Sequence, residues 1–552
     1  MEIISKELAS AGGDNQETRR ASRYDAVIAT LVGGLCVSTY TAYAQRQRVC
    51  AALWPILEFP RPVKKARHFR RGVDQKNEPP APAARWAAVV FLFLFCAGAV
   101  LRLLLCWFNP PQNAFDNHYE PIFLIMQTGA IPAKDACFQC YHPPVFYWIS
   151  AVIGKMAISG GMTPPHMVKL LQFVCCFYGI ATLGVCYLIL KKFPLSAFSS
   201  VIAFGAICFL PRHIYMSAMN SNDTISYLCV AISIYLTVVA LERKLAPLRL
   251  ALLSIVLTVT VFTKYTAFAV LPAVLAGVLW AYHVRLVVSR KQLWLSLLAV
   301  FALPLSVLGG YMAANVKHYH TPLPWNVSLY DPSVHRPRDP EPISFVSFKP
   351  WEDVVMPMLA PGKLHSFWTM LYSGMWFDTE PYFLSFLDAN GDWWQHYYSW
   401  YRGEGSFPGK NPSLSRVTMF SAAGLILLGL VPLALALVGG FLCVSGKWKT
   451  LFKASSVHRA SLSLFPVLLG FNIAGIIALT MRLPVYNSIK PSYLLNAMPA
   501  LMIFIALGVM LLEKNKILRR TTLVALSTLF AFVTLHVLHI VFSIHTLITQ
   551  AN

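Results

Sequence analysis

The chain has 552 residues, 56% of them hydrophobic and only 13% charged, with a mean hydropathy of +0.55. No soluble globular domain is that apolar, so the composition excludes a cytosolic enzyme and implies a polytopic helical membrane protein. The formal charge of +22 would suit a nucleic-acid partner only if it were gathered on one surface; it falls instead in short loops between apolar runs.

Residues 1–85 differ from the rest. The first 23 are polar, 24–44 are weakly apolar and rich in Ala, Gly and Thr, and 61–85 are basic and proline-rich. Arginines flank the 24–44 run on both sides, so charge gives it no orientation and an extra span there stays open. The run starts too late for a cleaved signal peptide. From Trp86 onward the pattern is regular, and spans are expected near 86–108, 167–190, 195–212, 224–242, 249–263, 265–283, 292–314, 417–445, 460–481, 491–512 and 521–547. The fold class is therefore an all-α polytopic membrane protein of about 11–13 transmembrane helices.

Placing Lys64, Lys65, Arg67, Arg70 and Arg71 inside makes every later inside loop basic, from Lys191 and Lys192 to Arg519 and Arg520. This works only if residues 144–158 do not cross, and a run that short reads as a helix lying along the outer surface. Three polar segments then share the outer face: 109–166, 212–223 and 315 to about 415. The expected organisation is a basic region over 1–85, a membrane core over 86–314 with its first outer loop at 109–166, a large outer loop or small domain over 315–415, and C-terminal helices over 416–552. A loop of that length is too long for a connector and reads as a small folded domain or lid. Its Trp393–Trp400 cluster suits either a sugar-stacking surface or an interfacial aromatic belt.

Phe115-Asp116-Asn117-His118-Tyr119-Glu120 follows directly on the first long apolar span, and Cys137-Phe-Gln-Cys140-Tyr-His142-Pro-Pro144 comes soon after. Ionisable groups beside a bilayer cost free energy and mark a reaction site or a permeation path. Cys137 and Cys140 could form a disulfide or half a metal site; no second pair completes a zinc set, so no metal ligand is assigned. Most other cysteines lie within apolar runs and read as small packed side chains.

These residues, in this order, resemble the GT-C superfamily of membrane glycosyltransferases, and within it glycosyltransferase family 39 with the protein O-mannosyltransferases and the aminoarabinose transferases of lipid A. The likeness covers most of 86–512. Phe115-Asp116-Asn117-His118-Tyr119 stands where the family has its acidic motif, and His142-Pro-Pro-Val-Phe-Tyr-Trp148 where it has a His/Lys-Pro-Pro-aromatic segment. Met219-Asn220-Ser-Asn222-Asp223, Phe262-Thr-Lys264-Tyr-Thr and Lys490-Pro-Ser-Tyr493-Leu-Leu-Asn-Ala-Met-Pro499 are similar to its later elements. One departure is Asn117, where many members carry the second acid of an Asp-Glu pair.

The resemblance implies a GT-C-like fold and transfer of a sugar from a polyprenyl-phosphate donor to an acceptor hydroxyl at the outer face, with inversion. Asp116 is the candidate general base. Glu120, one helical turn on, would share its face and could bind the acceptor. Lys264, His142 and Arg482 are candidates to hold the phosphate, with His118, Asp223 and Tyr493 as further binding residues. Bland readings compete: Asp116 and Asp223 as helix caps, Lys264 snorkelling to the interface, Arg482 as an end-of-helix anchor. No cofactor is called for beyond the lipid-linked donor, a divalent metal being left open. The partners are that donor, membrane lipids and a glycolipid, polysaccharide or protein acceptor, with no nucleic acid. The Cys-x-x-Cys-Tyr-x-Pro-Pro variant points to a bacterial inner membrane with the site facing the periplasm; in an endoplasmic-reticulum membrane Asn326-Val-Ser328 would be a glycosylation acceptor. The rival from another class is a transporter or flippase, against which stands the lack of correspondence between the two halves; an inactive scaffold is a third reading, motivated by Asn117.

Overall fold

The computed structural model describes residues 82–111, 118–325, 342–360, 366–387, 391–402, 406, 408, 414–453, 455–483 and 488–551. The 24–44 run, Asp116, Asn117 and the Asn326 sequon lie outside these residues. Among the described residues nine helices are long and apolar enough to cross a membrane, and a bent pair makes a tenth.

In chain order the helices begin with α1 (Pro82–Phe108), the short α2 (Tyr119–Thr128) and α3 (Val145–Ser159), and α4 (Pro164–Leu190). The bent pair is α5 (Ala197–Cys208) with α6 (Pro211–Ser217), followed by α7 (Asn222–Glu242) and α8 (Pro247–Val261). A 3-10 turn at Tyr265–Ala269 opens α9 (Val270–His283), and α10 (Arg290–Tyr319) follows. Next come α11 (Phe367–Trp376) and α12 (Gly391–Arg402). The last group is α13 (Arg416–Val444), α14 (Ser456–Leu462), α15 (Leu464–Arg482), a second 3-10 turn at Pro491–Ala497, α16 (Met498–Leu512) and α17 (Lys516–Ala551).

The expected spans hold with two differences. The run at 195–212 breaks and bends by 49° between α5 and α6, because Pro211 has no N–H to continue the ladder. The run at 249–263 yields only the 15-residue α8, about 22 Å long, short of the ~30 Å hydrocarbon core. The 15-residue α3 is likewise too short to cross on its own.

Local chemistry sets the helix ends. Ser196, Ser289 and Ser415 each accept a hydrogen bond from the backbone N–H three residues on, capping α5, α10 and α13. Proline opens α4, α6 and α8, where its missing N–H costs nothing. Packing between spans relies on close backbone approach: a methyl on Gly439 of α13 would strike Phe504 of α16, and one on Gly508 would strike Leu435. The central core also takes in Met358, Phe367, Met370, Met375, Phe377 and Phe383, so the described part of the large loop shares the core instead of folding apart from it.

Candidate active site

Four polar stretches that lie far apart in sequence meet at one end of the bundle. The first follows from the start of α7. Ser221 caps that helix, its Oγ accepting from the Asp223 N–H at 3.2 Å and donating to Asp223 Oδ2 at 2.9 Å. The cap is thus Ser221, which leaves the Asp223 carboxylate available for something else. That partner is Lys264, whose Nζ lies 2.7 Å from Asp223 Oδ1, with both side chains under 8% exposed.

Lys264 occupies an extended residue between α8 and the 265–269 turn, so its side chain projects sideways instead of running along a helix. It is buried and does not snorkel to water. Its ammonium also lies 5.2 Å from the centre of the Tyr493 ring, which comes from the second 3-10 turn. A cation over an aromatic face gains from the ring quadrupole.

The 137–144 loop supplies the third stretch. A disulfide joins Cys137 to Cys140, and the loop is tied down by the Lys134 ammonium donating to the His142 carbonyl at 2.9 Å. Tyr265 donates to the Tyr141 carbonyl at 3.0 Å, and the Val145 N–H to the Phe262 carbonyl at 3.2 Å. His142 therefore sits directly against the segment carrying Lys264. The His118 ring stacks 5.8 Å from that of His142, and its Nδ1 lies 2.8 Å from the Tyr147 hydroxyl.

The fourth stretch, the 491–497 turn, is fixed by α7 and the 265–269 turn together. Tyr227 donates to the Ser492 carbonyl at 2.9 Å, Ser226 to Asn496 Oδ1 at 2.9 Å, and Asn496 Nδ2 to Thr266 Oγ1 at 2.9 Å.

Burial holds the His142 imidazole well below its usual range, and Lys264, His118, Lys134 and Lys490 push it further down. His142 is therefore neutral, and among the described residues the Lys264, Lys134 and Lys490 ammonium groups outnumber the Asp223 carboxylate around it. An anion is what such a field attracts. A testable consequence follows from the sign. The unfolded chain binds a proton on His142 below about pH 6.5 that the folded protein refuses, so this residue subtracts stability as pH falls. From about pH 7 to about pH 5, the melting temperature of the wild type should drop more steeply than that of His142→Gln. Parallel profiles would show that the imidazole titrates normally.

Tyr493, the ring that faces Lys264, also lines a cavity of about 740 Å³. Tyr265, Thr266, Trp325, Arg482 and Tyr493 line it together with α15 residues that include Asn472, Gly475 and Leu479. Arg482 is exposed at the mouth, its guanidinium 4.5 Å from the Trp325 ring centre.

Of the residues singled out from the sequence, His118, His142, Asp223, Lys264 and Tyr493 come together, and Arg482 shares the cavity with Tyr493. Glu120 is half-buried in the first turn of α2, a helix that begins only at Tyr119. Asp116 lies outside the described residues. Trp394 and Tyr397 are turned into the protein, and Tyr397 donates to the Leu359 carbonyl at 3.1 Å. Lys134, Tyr227 and Asn496 were not legible as site residues, since each reads as an ordinary loop or span residue until its partner is known. No group of three or more metal-ligating side chains occurs among the described residues.

Residues 141–309 match the family model described as dolichyl-phosphate-mannose-protein mannosyltransferase. A comparison with curated proteins found no match. Among solved structures, the oligosaccharyltransferase of Archaeoglobus fulgidus in its apo form aligns with a TM-score of 0.46 and 13% identity, covering 82% of this chain. This chain spans 56% of that enzyme's length. The same archaeal enzyme in complex with an inhibitory peptide and a dolichol-phosphate gives 0.45, 13% and 82%, with 56% of its own length covered. ArnT from Cupriavidus metallidurans gives a TM-score of 0.31 at 12% identity, with 78% of each chain covered. The matched segment carries His142, Asp223 and Lys264 on one continuous stretch of the membrane core, and over that stretch the chain is similar to the mannosyltransferase family.

Proposed function

We propose that this protein transfers a sugar from a polyprenyl-phosphate donor to an acceptor hydroxyl at the outer face of its membrane, with Asp116 as general base and inversion at the sugar. The observation that carries the reading is the junction, at Tyr493, of a cavity with a cluster in which ammonium groups outnumber the Asp223 carboxylate. The cavity wall along α15 suits a prenyl tail, and Arg482 and Tyr493 stand where the tail would meet its phosphate. Lys264, His118 and the neutral His142 would then lie around the leaving phosphate, stabilising charge as it builds there. Asp223 orients Lys264 by its ion pair and so keeps the ammonium pointed at the site.

The acceptor is a glycolipid, a polysaccharide or a protein, and the compartment is the periplasmic side of a bacterial inner membrane. No resident cofactor is needed for this chemistry, because the phosphate is a competent leaving group once its charge is held.

A steric block of the cavity tests the proposal. Gly475 lines the cavity and has open space where a Cβ would stand, so Gly475→Trp should fold normally. Filling the cavity should weaken binding of polyprenyl phosphate by on the order of tenfold or more, with transfer falling in step. Unchanged binding in that variant would place the lipid elsewhere and remove the main support for the reading.

A further inference from the structure

A second buried ion cluster adjoins the site and is used by none of the chemistry above. Arg212, in the first turn of α6, donates through Nη2 to Glu380 and has Nη1 3.9 Å from Asp378. All three residues are at most 2% exposed. The guanidinium also lies 5.5 Å from the Tyr382 ring centre. Asp378 accepts from the N–H groups of Phe383 and Leu384 at 2.5 and 3.0 Å. Burial pushes the Asp378 carboxyl up to about 6, against the pull of Arg212. Burying one cation with two carboxylates is costly compared with apolar residues of the same volume. In a membrane protein such a group marks a functional demand.

The cluster fastens the segment just beyond α11 to the bent α6. At its other side α11 abuts the 491–497 turn. Gly374 is so close to Pro491 that an added methyl would collide with the proline ring, and Thr379 Oγ1 would be 3.0 Å away. Pro491 is flanked by Lys490 and lies two residues before Tyr493, the ring under Lys264. The turn is also held by Tyr227 and Ser226 of α7 and by Thr266, which bond to Ser492 and Asn496. The turn that presents Tyr493 is thus held both by α7 and by a segment of the large loop.

We infer that residues 366–387, anchored through Arg212, Asp378 and Glu380 and bearing on Pro491 at Gly374, form a strut that positions Tyr493 and Lys490 against Lys264. Arg212 and Gly374 are positioning residues in this account and touch no substrate. The link to donor binding rests on the proposed function; the strut itself does not.

The test separates the two. Amide hydrogen exchange over residues 488–497 is measured on the full chain in lipid nanodiscs, for the wild type, Gly374→Ala, Arg212→Met, Pro491→Ala and the Gly374→Ala/Pro491→Ala pair. Binding of polyprenyl phosphate is measured on the same samples. Gly374→Ala and Arg212→Met should speed exchange in 488–497 by roughly tenfold while α13 and α16 stay protected. Lipid binding should weaken by ~10- to 100-fold, the scale on which a misplacement of ~1 Å is felt. Removing the Pro491 ring makes room for the methyl, so the double variant should recover both readouts; a general loss of stability would not recover this way. Wild-type exchange in 488–497 for both Gly374→Ala and Arg212→Met would overturn the strut. If Arg212→Met does not accumulate, the Gly374 and Pro491 variants decide alone. Local exchange that rises and is rescued in a protein that binds no polyprenyl phosphate would uphold the strut and sink the proposed function.

Discussion

Replacing Lys264 with alanine should lower sugar transfer by about 10²–10³-fold, the usual loss when one preorganised charge is removed from a site where negative charge develops. The variant carries a second penalty. Asp223 would remain buried with its ion-pair partner gone, which costs about 3–5 kcal/mol of folding stability. The two effects can be parted with Asp223→Asn/Lys264→Met, which leaves neither charge in place. Thermal unfolding of the double variant should return most of the way to wild type, because no uncompensated charge remains. Transfer should stay at the level of Lys264→Ala, since the ammonium is still missing. Recovery of transfer along with stability would reduce the pair to a structural fastening and take Lys264 out of the mechanism.

Asp116→Asn is expected to abolish most transfer while leaving binding of polyprenyl phosphate intact. General-base catalysis contributes ~10²–10⁴ in rate, and an amide of the same shape cannot take the proton from the attacking hydroxyl. The measurement is transfer of radiolabelled sugar in proteoliposomes beside equilibrium binding of the lipid phosphate. Wild-type turnover in the variant would move the base to Glu120, the half-buried carboxylate at the start of α2. Loss of binding together with transfer would make Asp116 part of the lipid site instead of the base. Wild-type protein that moves no sugar from any donor would revive the transporter reading.

Much of this molecule was open to inspection of the chain. Apolar runs of about 20 residues give spans because a backbone in hydrocarbon must satisfy its own hydrogen bonds, and that rule acts on each run separately. The short run at 144–158 forms the 15-residue helix α3, as its length suggested. Lys264 and Asp223 stood out because a charge at the edge of an apolar run costs free energy wherever it ends up. What each one paired with was not legible. Asp223 read equally well as a helix cap, and only the Ser221 hydroxyl in that role shows the carboxylate turned to Lys264.

The break at Pro211 was missed although the proline is plain in the sequence, because hydropathy averages over a single residue. How the described part of the large loop packs was not legible either. Met370, Met375, Phe377 and Phe383 lie in apolar, aromatic stretches too short to span, and what they pack against is decided only by the assembled bundle. Arg212 lies more than 160 residues from Asp378 and Glu380, and nothing local says that this one cation will meet two carboxylates from another part of the chain.

The sequence by itself determined that the chain is a helical membrane protein, roughly where it crosses, and which polar stretches lie between the spans, because these follow from the length and polarity of each segment. Tertiary structure alone decided that Asp223 pairs with Lys264, that His142 is held neutral, that Tyr493 and Arg482 line one cavity of about 740 Å³, and that the large loop bears on the same turn. Each of these depends on the distance between groups remote in sequence, and ion pairing, desolvation and packing act through that distance and not through sequence separation.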